Sequence, residues 1–327
     1  MVLALLLGAA PAQAEGALEQ SSLALPATSL TFSTSYIADE MGLWRKEGLE
    51  VKIVNITGVG APNAVIAGSV DFTVTTASTF ERAAERGQRM LVIANLLERP
   101  MMELVLSRKA ADAARVTDAS PLVARARALK GRTIAVEGVY TNLHAFLKLV
   151  ALKGGLDPET DLHLAPTPNP NMPAAMAAGA IDGFSSSLPW TTGAVASGQA
   201  IMVASSARGD LPELLPFAYA VVMTRPQLCR EHPSICRKMA QGYRAAGTML
   251  RNHRQESMAA LRPRFSRIDE NVFETAVATI AAATPAVPQV DRAALENAEH
   301  FNVISGVVKS DQMLKSFDGL YTDEFLR

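Results

Sequence analysis

Cysteine is nearly absent from this chain of 327 residues: Cys229 and Cys236, in LCREHPSIC, are the two that occur. Two thiols cannot close a structural zinc site, which takes four ligands. The five histidines, His144, His163, His232, His253 and His300, are scattered with no HExxH spacing. Metal chemistry therefore has no candidate, and no cofactor is expected. A nucleotide signature is also missing. There is no GxxxxGK[ST] or GxSxG, and TGVGAPN lacks the third glycine of a dinucleotide fingerprint. Excess charge is absent too: 31 basic residues meet 32 acidic ones, a net charge of −1. No basic field exists to hold a nucleic acid or an anionic membrane. The densest basic stretch, VARARALKGR, reads as a solvated helix face. Beyond the N-terminus no apolar run reaches the roughly 18 residues of a membrane span.

What is present begins with that N-terminus. Leu3 to Ala10 form an apolar run too short to cross a bilayer, and Ala12-Gln13-Ala14 follows as a small-x-small cleavage site. Residues 1–14 read as a secretory signal peptide, so the mature protein is expected in the periplasm. In that oxidising compartment Cys229 and Cys236 either pair as a disulfide or stay as two buried thiols, and geometry decides. With 49% hydrophobic residues the chain has material for a sizeable core, and its length favours two domains.

Strands and helices alternate along the chain. SLTFSTS (29–35) alternates apolar and hydroxyl residues like a strand, ADEMGLWRKEG reads as a helix closed at Gly48, and LEVKIVNI as a strand. A helix opened by Gly60 and Pro62 comes next, then VDFTVTT as a strand, STFERAAERG as a helix and RMLVIANLL as a strand. MMELVLS (101–107) is a further strand of this first unit. The pattern then restarts from GRTIAVE, and it predicts two parallel α/β layers. The restart is a repeat: IAGSVDFTVTTAS (66–78) and AAGAIDGFSSSLPW (177–190) share one plan, with Asp71 and Asp182 lying 111 positions apart. PFAYAVVMTR (216–225) is a strand without a partner in the second unit, and two long amphipathic helical stretches follow it. The chain is expected to cross between lobes near 109–118 and again near 205–218. Lobe 1 is then 28–112 with 216–327, and lobe 2 is 113–215.

Both copies of the repeat end in hydroxyls. In open parallel sheets ligands bind beyond the carboxyl ends of the strands. Thr75, Thr76 and Ser78 are therefore expected to face Ser185, Ser186, Ser187 and Trp190 across a cleft, closed by a two-segment hinge. Ordinary turn and cap hydroxyls are the competing explanation for either cluster alone. Asp71 and Asp182 sit at the opposite strand ends, where a carboxylate satisfies backbone N–H groups rather than doing catalysis. Trp44 reads as a packing residue, whereas for Trp190 stacking on a flat ligand and lobe packing both stand.

The stretch MGLWRKEGLEVKIVNITGVGAPNAVIAGSVDFTVTTAS (41–78) resembles the periplasmic substrate-binding proteins of nitrate, sulfonate and taurine ABC importers, relatives of the pyrimidine-precursor binders. The resemblance continues through ERPMMELVLS, LKGRTIAVEG, GGLDPETDLHL, AAGAIDG and SFDGLYTDEFL, and covers nearly the whole mature chain. It implies a type II periplasmic-binding-protein fold, α/β in class, with two lobes joined by a two-segment hinge. It implies a monomer without enzymatic activity, whose partners are a small solute and the permease subunits of an ABC importer. The solute would be a sulfonate, nitrate, aromatic carboxylate or pyrimidine type. The resemblance places ligand contacts at Ser35, Tyr36, Gly58, Gly60, Thr75, Thr76, Ala77, Ser78, Thr141, Asn142, Ser187 and Trp190. A periplasmic sensor would use the same cleft, and an enzyme like the pyrimidine synthases shares the fold but carries a cysteine-rich motif not found here.

Overall fold

The computed structural model describes residues 17–327, and the expected signal peptide at 1–14 lies outside the described residues. Among the described residues ten strands build two five-stranded sheets. The first contains β1 (Glu19–Leu25), β2 (Leu49–Asn55), β3 (Phe72–Thr75) and β4 (Leu91–Leu97). The second contains β5 (Glu103–Ser107), β6 (Arg132–Val136), β7 (Leu162–Pro166), β8 (Gly183–Ser186) and β9 (Ala200–Ser205). The last strand, β10 (Ala220–Thr224), returns to the first sheet, giving the orders β2-β1-β3-β10-β4 and β7-β6-β8-β5-β9.

Three features depart from the sequence reading. The first strand lies at Glu19–Leu25, whereas Ser29 caps a short 3-10 turn that leads into the helix Ser33–Glu40. Alternating hydroxyls in SLTFSTS therefore mark a helix entry, because Ser29 Oγ accepts the Thr31 N–H at 3.1 Å. The strand β5 also pairs with β8 and β9 rather than in the first sheet. The chain thus leaves the first sheet between Leu97 and Glu103, ahead of the expected 109–118. It returns between Ser205 and Ala220. Finally, the sheets are mixed and not purely parallel: β10 runs antiparallel to β3 and β4, and β5 antiparallel to β8 and β9. Strand-helix alternation reports direction within each half but not which sheet an isolated strand joins. Each half thus lends one antiparallel strand to the middle of the other's sheet.

Helices cover the sheets, so the inner strands are buried, β8 and β10 throughout and β5 in all but Ser107. The repeat extends to helix ends: Gly68 and Gly179, at φ +79° and +75°, turn the chain into the strands holding Asp71 and Asp182. Asp71 Oδ2 accepts the Ser22 N–H at 2.9 Å and Asp182 Oδ2 the Thr133 N–H at 2.9 Å. Each carboxylate thereby ties the start of its strand to the neighbouring strand, rather than satisfying its own preceding turn.

The C-terminal helices pack on the first sheet. The helix Pro233–Asn252 lies against Ser33–Glu40, and Arg292–Ile304 lies against Ala77–Glu85. Cys229 and Cys236 form a disulfide that pins the helix Pro226–Glu231 to the first turn of Pro233–Asn252. Trp44 is buried edge-on against Tyr243, its ring centroid 5.2 Å away, and its indole N–H donates to the Met239 carbonyl at 3.3 Å. This packing needs Gly242, since a Cβ there would overlap the Trp44 ring. In an open helix Gly→Ala gains about 1 kcal/mol, whereas overpacking costs about 1–3 kcal/mol. Gly242→Ala should therefore lower stability, read as a reduced urea midpoint at unchanged m-value, and a midpoint that rises would refute this account of the Trp44 contact.

Candidate functional site

Within each sheet the parallel strands end on the same side, and the two sides meet. Residues following β1, β2 and β3 (Pro26 to Thr31, Gly58 and Val59, Thr76) and those following β6, β7 and β8 (Glu137, Asn169, Ser187) line one interlobe cavity. It holds about 500 Å³, its mouth included. The same spacing that separates Asp71 from Asp182 separates Pro26 from Glu137, Gly58 from Asn169 and Thr76 from Ser187. The cavity is thus built from equivalent positions of the two halves. Tyr219, just before β10, and Thr141, Asn142 and Leu143, at the start of the helix Asn142–Lys153, complete it.

Direct hydrogen bonds seam the lobes around this space. Ser29 and Ser187 hydroxyls lie 2.7 Å apart, the Leu30 N–H donates to the Leu188 carbonyl at 3.2 Å, and Trp190 Nε1 donates to the Thr28 carbonyl at 2.9 Å. Asn142 Nδ2 donates to the Tyr219 hydroxyl at 3.3 Å. On the far rim Arg82 donates to the Tyr140 carbonyl at 2.7 Å, and also to Thr79 and Asn302. Tyr140 takes this position at φ +63°, a left-handed conformation unusual for a side chain of its size, and its N–H donates to His144 Nδ1 at 3.2 Å. Gly58, beside Thr141, takes φ +59°, a left-handed conformation that favours glycine.

Six expected contacts line the cavity: Gly58, Thr75, Thr76, Thr141, Asn142 and Ser187. Thr76 and Thr141 also cap helices, accepting the N–H groups of Thr79 and His144, so cap and cleft roles coincide there. The other six lie elsewhere. Ser35 bonds Tyr243 at 2.9 Å and Tyr36 packs edge-on against Phe265, both on a helix turned into the first lobe. Gly60 abuts Ile56, and the Ala77 N–H donates to the Ala218 carbonyl. Ser78 bonds back to Thr76. Trp190 packs near Phe265 and lines a separate apolar hollow with Pro189 and Arg264, so its lobe-packing role prevails. Sequence reasoning missed Ser29, Thr31, Glu137, Asn169 and Tyr219. Extending the 111-residue spacing from Pro26 and Gly58 would have reached Glu137 and Asn169.

The electrostatics are one-sided. Among the lining residues there is no Lys, Arg or His, whereas Glu137 is there. Burial pushes the Glu137 carboxyl up to about 7, despite the hydrogen bond from Asn169 Nδ2 at 3.1 Å. Burial likewise raises the Tyr219 phenol above its ordinary range. Behind Thr79, burial lowers Arg82 to about 10. Neighbouring Glu81, fully buried without a hydrogen-bond partner and crowded by Glu299 and Glu85, is pushed well above the carboxylate range. No group of three or more His, Cys, Asp or Glu suited to a metal occurs among the described residues, and no helix there is long and apolar enough to cross a membrane.

Comparison with known proteins follows the same lines. A family model described as the NMT1-like family matches residues 16–262. A search of curated proteins by sequence gives no match. Among solved structures, a Bordetella bronchiseptica protein aligns with a TM-score of 0.80 at 18% identity, covering 96% of each chain. The alkanesulfonate-binding protein SsuA of Xanthomonas axonopodis pv. citri, bound to MOPS, aligns at 0.67 and 20% identity, over 88% of this chain and 91% of that one. The periplasmic nitrate-binding protein NrtA of Synechocystis aligns at 0.69 and 15% identity, over 94% and 87%. The fold is that of the periplasmic binding proteins, type II in its two lobes with exchanged strands.

The raised Glu137 carboxyl has a consequence for stability. The folded protein keeps this proton up to about pH 7 whereas the unfolded chain releases it near 4.5, so the contribution is complete below 4.5 and is lost as pH rises toward 7. Denaturation free energy should fall over that window, and in Glu137→Gln the slope should be shallower by up to about 1.4 kcal/mol per pH unit. Parallel slopes in the two proteins would contradict the assignment.

Proposed function

The chain belongs to the NMT1-like family, and from that membership we propose that it is an extracytoplasmic receptor that closes two lobes on a small solute and delivers it to an ABC importer. The observation that carries this reading is the convergence of strand ends from both sheets on one cavity. An active site is not the better reading of that cavity. Its carboxyl group faces an amide rather than a nucleophile, and both cysteines are tied in the disulfide. The disulfide supports a periplasmic location, because such bonds persist in oxidising compartments. The segments between Leu97 and Glu103 and between Ser205 and Ala220 are the hinge, and a monomer working with permease subunits is the form expected. The binding surface we assign comprises Gly58, Thr75, Thr76, Thr141, Asn142 and Ser187 from the sequence reading, joined by Ser29, Glu137, Asn169 and Tyr219.

Two measurements test this. A thermal-shift screen of sulfonates, nitrate, aromatic carboxylates and pyrimidines should find a solute that raises the melting temperature by mass action. Small-angle scattering with that solute should show a smaller radius of gyration, and unchanged dimensions would argue against hinge closure. Ser187→Ala removes the hydroxyl that bonds Ser29 at 2.7 Å and, at 3.5 Å, Thr31 across the seam, while Ser29 keeps its bond to the Leu188 carbonyl. At about 0.5–1.5 kcal/mol, that loss should weaken solute binding about 2- to 12-fold with little change in melting. Full affinity in this variant would remove Ser187 from the site.

A further inference from the structure

The two halves of the cavity differ where the repeat would make them alike. Pro26 and Gly58 bring no polar side-chain atom to the first lobe's wall, whereas their counterparts in the second lobe are Glu137 and Asn169. These two form a built pair. Asn169 spends Nδ2 on Glu137 Oε2 at 3.1 Å, which fixes the amide's orientation and leaves its Oδ1 buried with no hydrogen-bond partner. Among the described residues this is also the one hydrogen bond recorded for the Glu137 side chain. Above about pH 7, where Glu137 is ionised, what the pair offers a guest is therefore a carboxylate oxygen and an amide oxygen, both of which accept.

Several side-chain donors nearby are already committed: Asn142 Nδ2 goes to Tyr219, the Thr141 hydroxyl to the Gly138 carbonyl, and the Ser29 and Ser187 hydroxyls bond each other at 2.7 Å. Behind Thr79, Arg82 donates to Asn302, Thr79 and the Tyr140 carbonyl. Above that pH an oxyanion would sit beside a carboxylate with no Lys, Arg or His among the lining residues to offset either charge, and a buried charge without a partner is strongly disfavoured. A guest with N–H groups would satisfy both acceptors at once.

Resting on the solute-binding reading above, we propose that the guest presents N–H donors to Glu137 and Asn169, as a neutral or cationic amide, amine or amidine, and that it is not an oxyanion. Glu137 sets this preference. A matched series tests it by calorimetry on the mature chain at pH 8, where Glu137 is ionised: acetamidine, acetamide, acetate and methanesulfonate, with benzamidine, benzamide, benzoate and benzenesulfonate. The nitrogen compounds should bind, and the oxyanions of the same size should bind at least about tenfold more weakly. Glu137→Gln keeps an acceptor for Asn169 and should cost amidines about tenfold or more, and amides less. Asn169→Leu should weaken amidines and amides alike. Melting curves of both variants at pH 6 establish that they fold. Oxyanions that bind as tightly as their nitrogen counterparts, or amidine affinity indifferent to Glu137→Gln in a folded variant, would overturn the proposal and leave the receptor reading standing. Absence of binding by every member of the series to the wild-type chain would count against both.

Discussion

Parallel strands deliver all their carboxyl ends to one edge of a sheet, and the cavity follows from that constraint. Three such ends in each sheet, from β1, β2 and β3 and from β6, β7 and β8, point at one another. The opposite edge carries Asp71 and Asp182, whose carboxylates hold Ser22 and Thr133 backbone N–H groups and take no part in the cleft. The exchanged strands β5 and β10 make the arrangement durable. β10 is buried along its whole length and β5 in all but Ser107, and both are hydrogen-bonded on two sides, so the lobes cannot come apart without unfolding a sheet.

The cavity's chemistry comes from departures from the repeat rather than from the repeat. Thr76 and Ser187 are equivalent and both bear hydroxyls, but one caps a helix while the other joins the seam through Ser29. Pro26 and Gly58 shape the backbone of the first lobe, and Glu137 and Asn169 give the second lobe its polarity. The family match and the structural likenesses speak to the frame that both halves share. On the proposal above, the positions where the halves differ would select the guest.

Much of the frame could be read from the sequence. The Asp71/Asp182 repeat located equivalent strands, and the hydroxyls after them led to Thr75, Thr76 and Ser187. The resemblance supplied Gly58, Thr141 and Asn142. What escaped has physical causes. Strand pairing is a long-range event, so nothing local to MMELVLS says that β5 completes the second sheet. Ser29 to Ser35 alternate like a strand because a serine cap followed by a short apolar turn produces the same pattern over seven residues. Ser35 and Tyr36 were misplaced by that same error, since a helix turns them toward Tyr243 and Phe265. Glu137 in VEG looks like any polar strand end, and its counterpart Pro26 gives no chemical hint.

On the receptor reading proposed above, the seam would separate how tightly a guest is held from how long it stays. Departure would require the bonds of Ser29 to Ser187, Leu30 to Leu188 and Arg82 to the Tyr140 carbonyl to part, whatever the guest itself contributes. Dwell time would then be governed largely by the rim, and a cargo touching few side chains could still be carried across a long diffusional path before release.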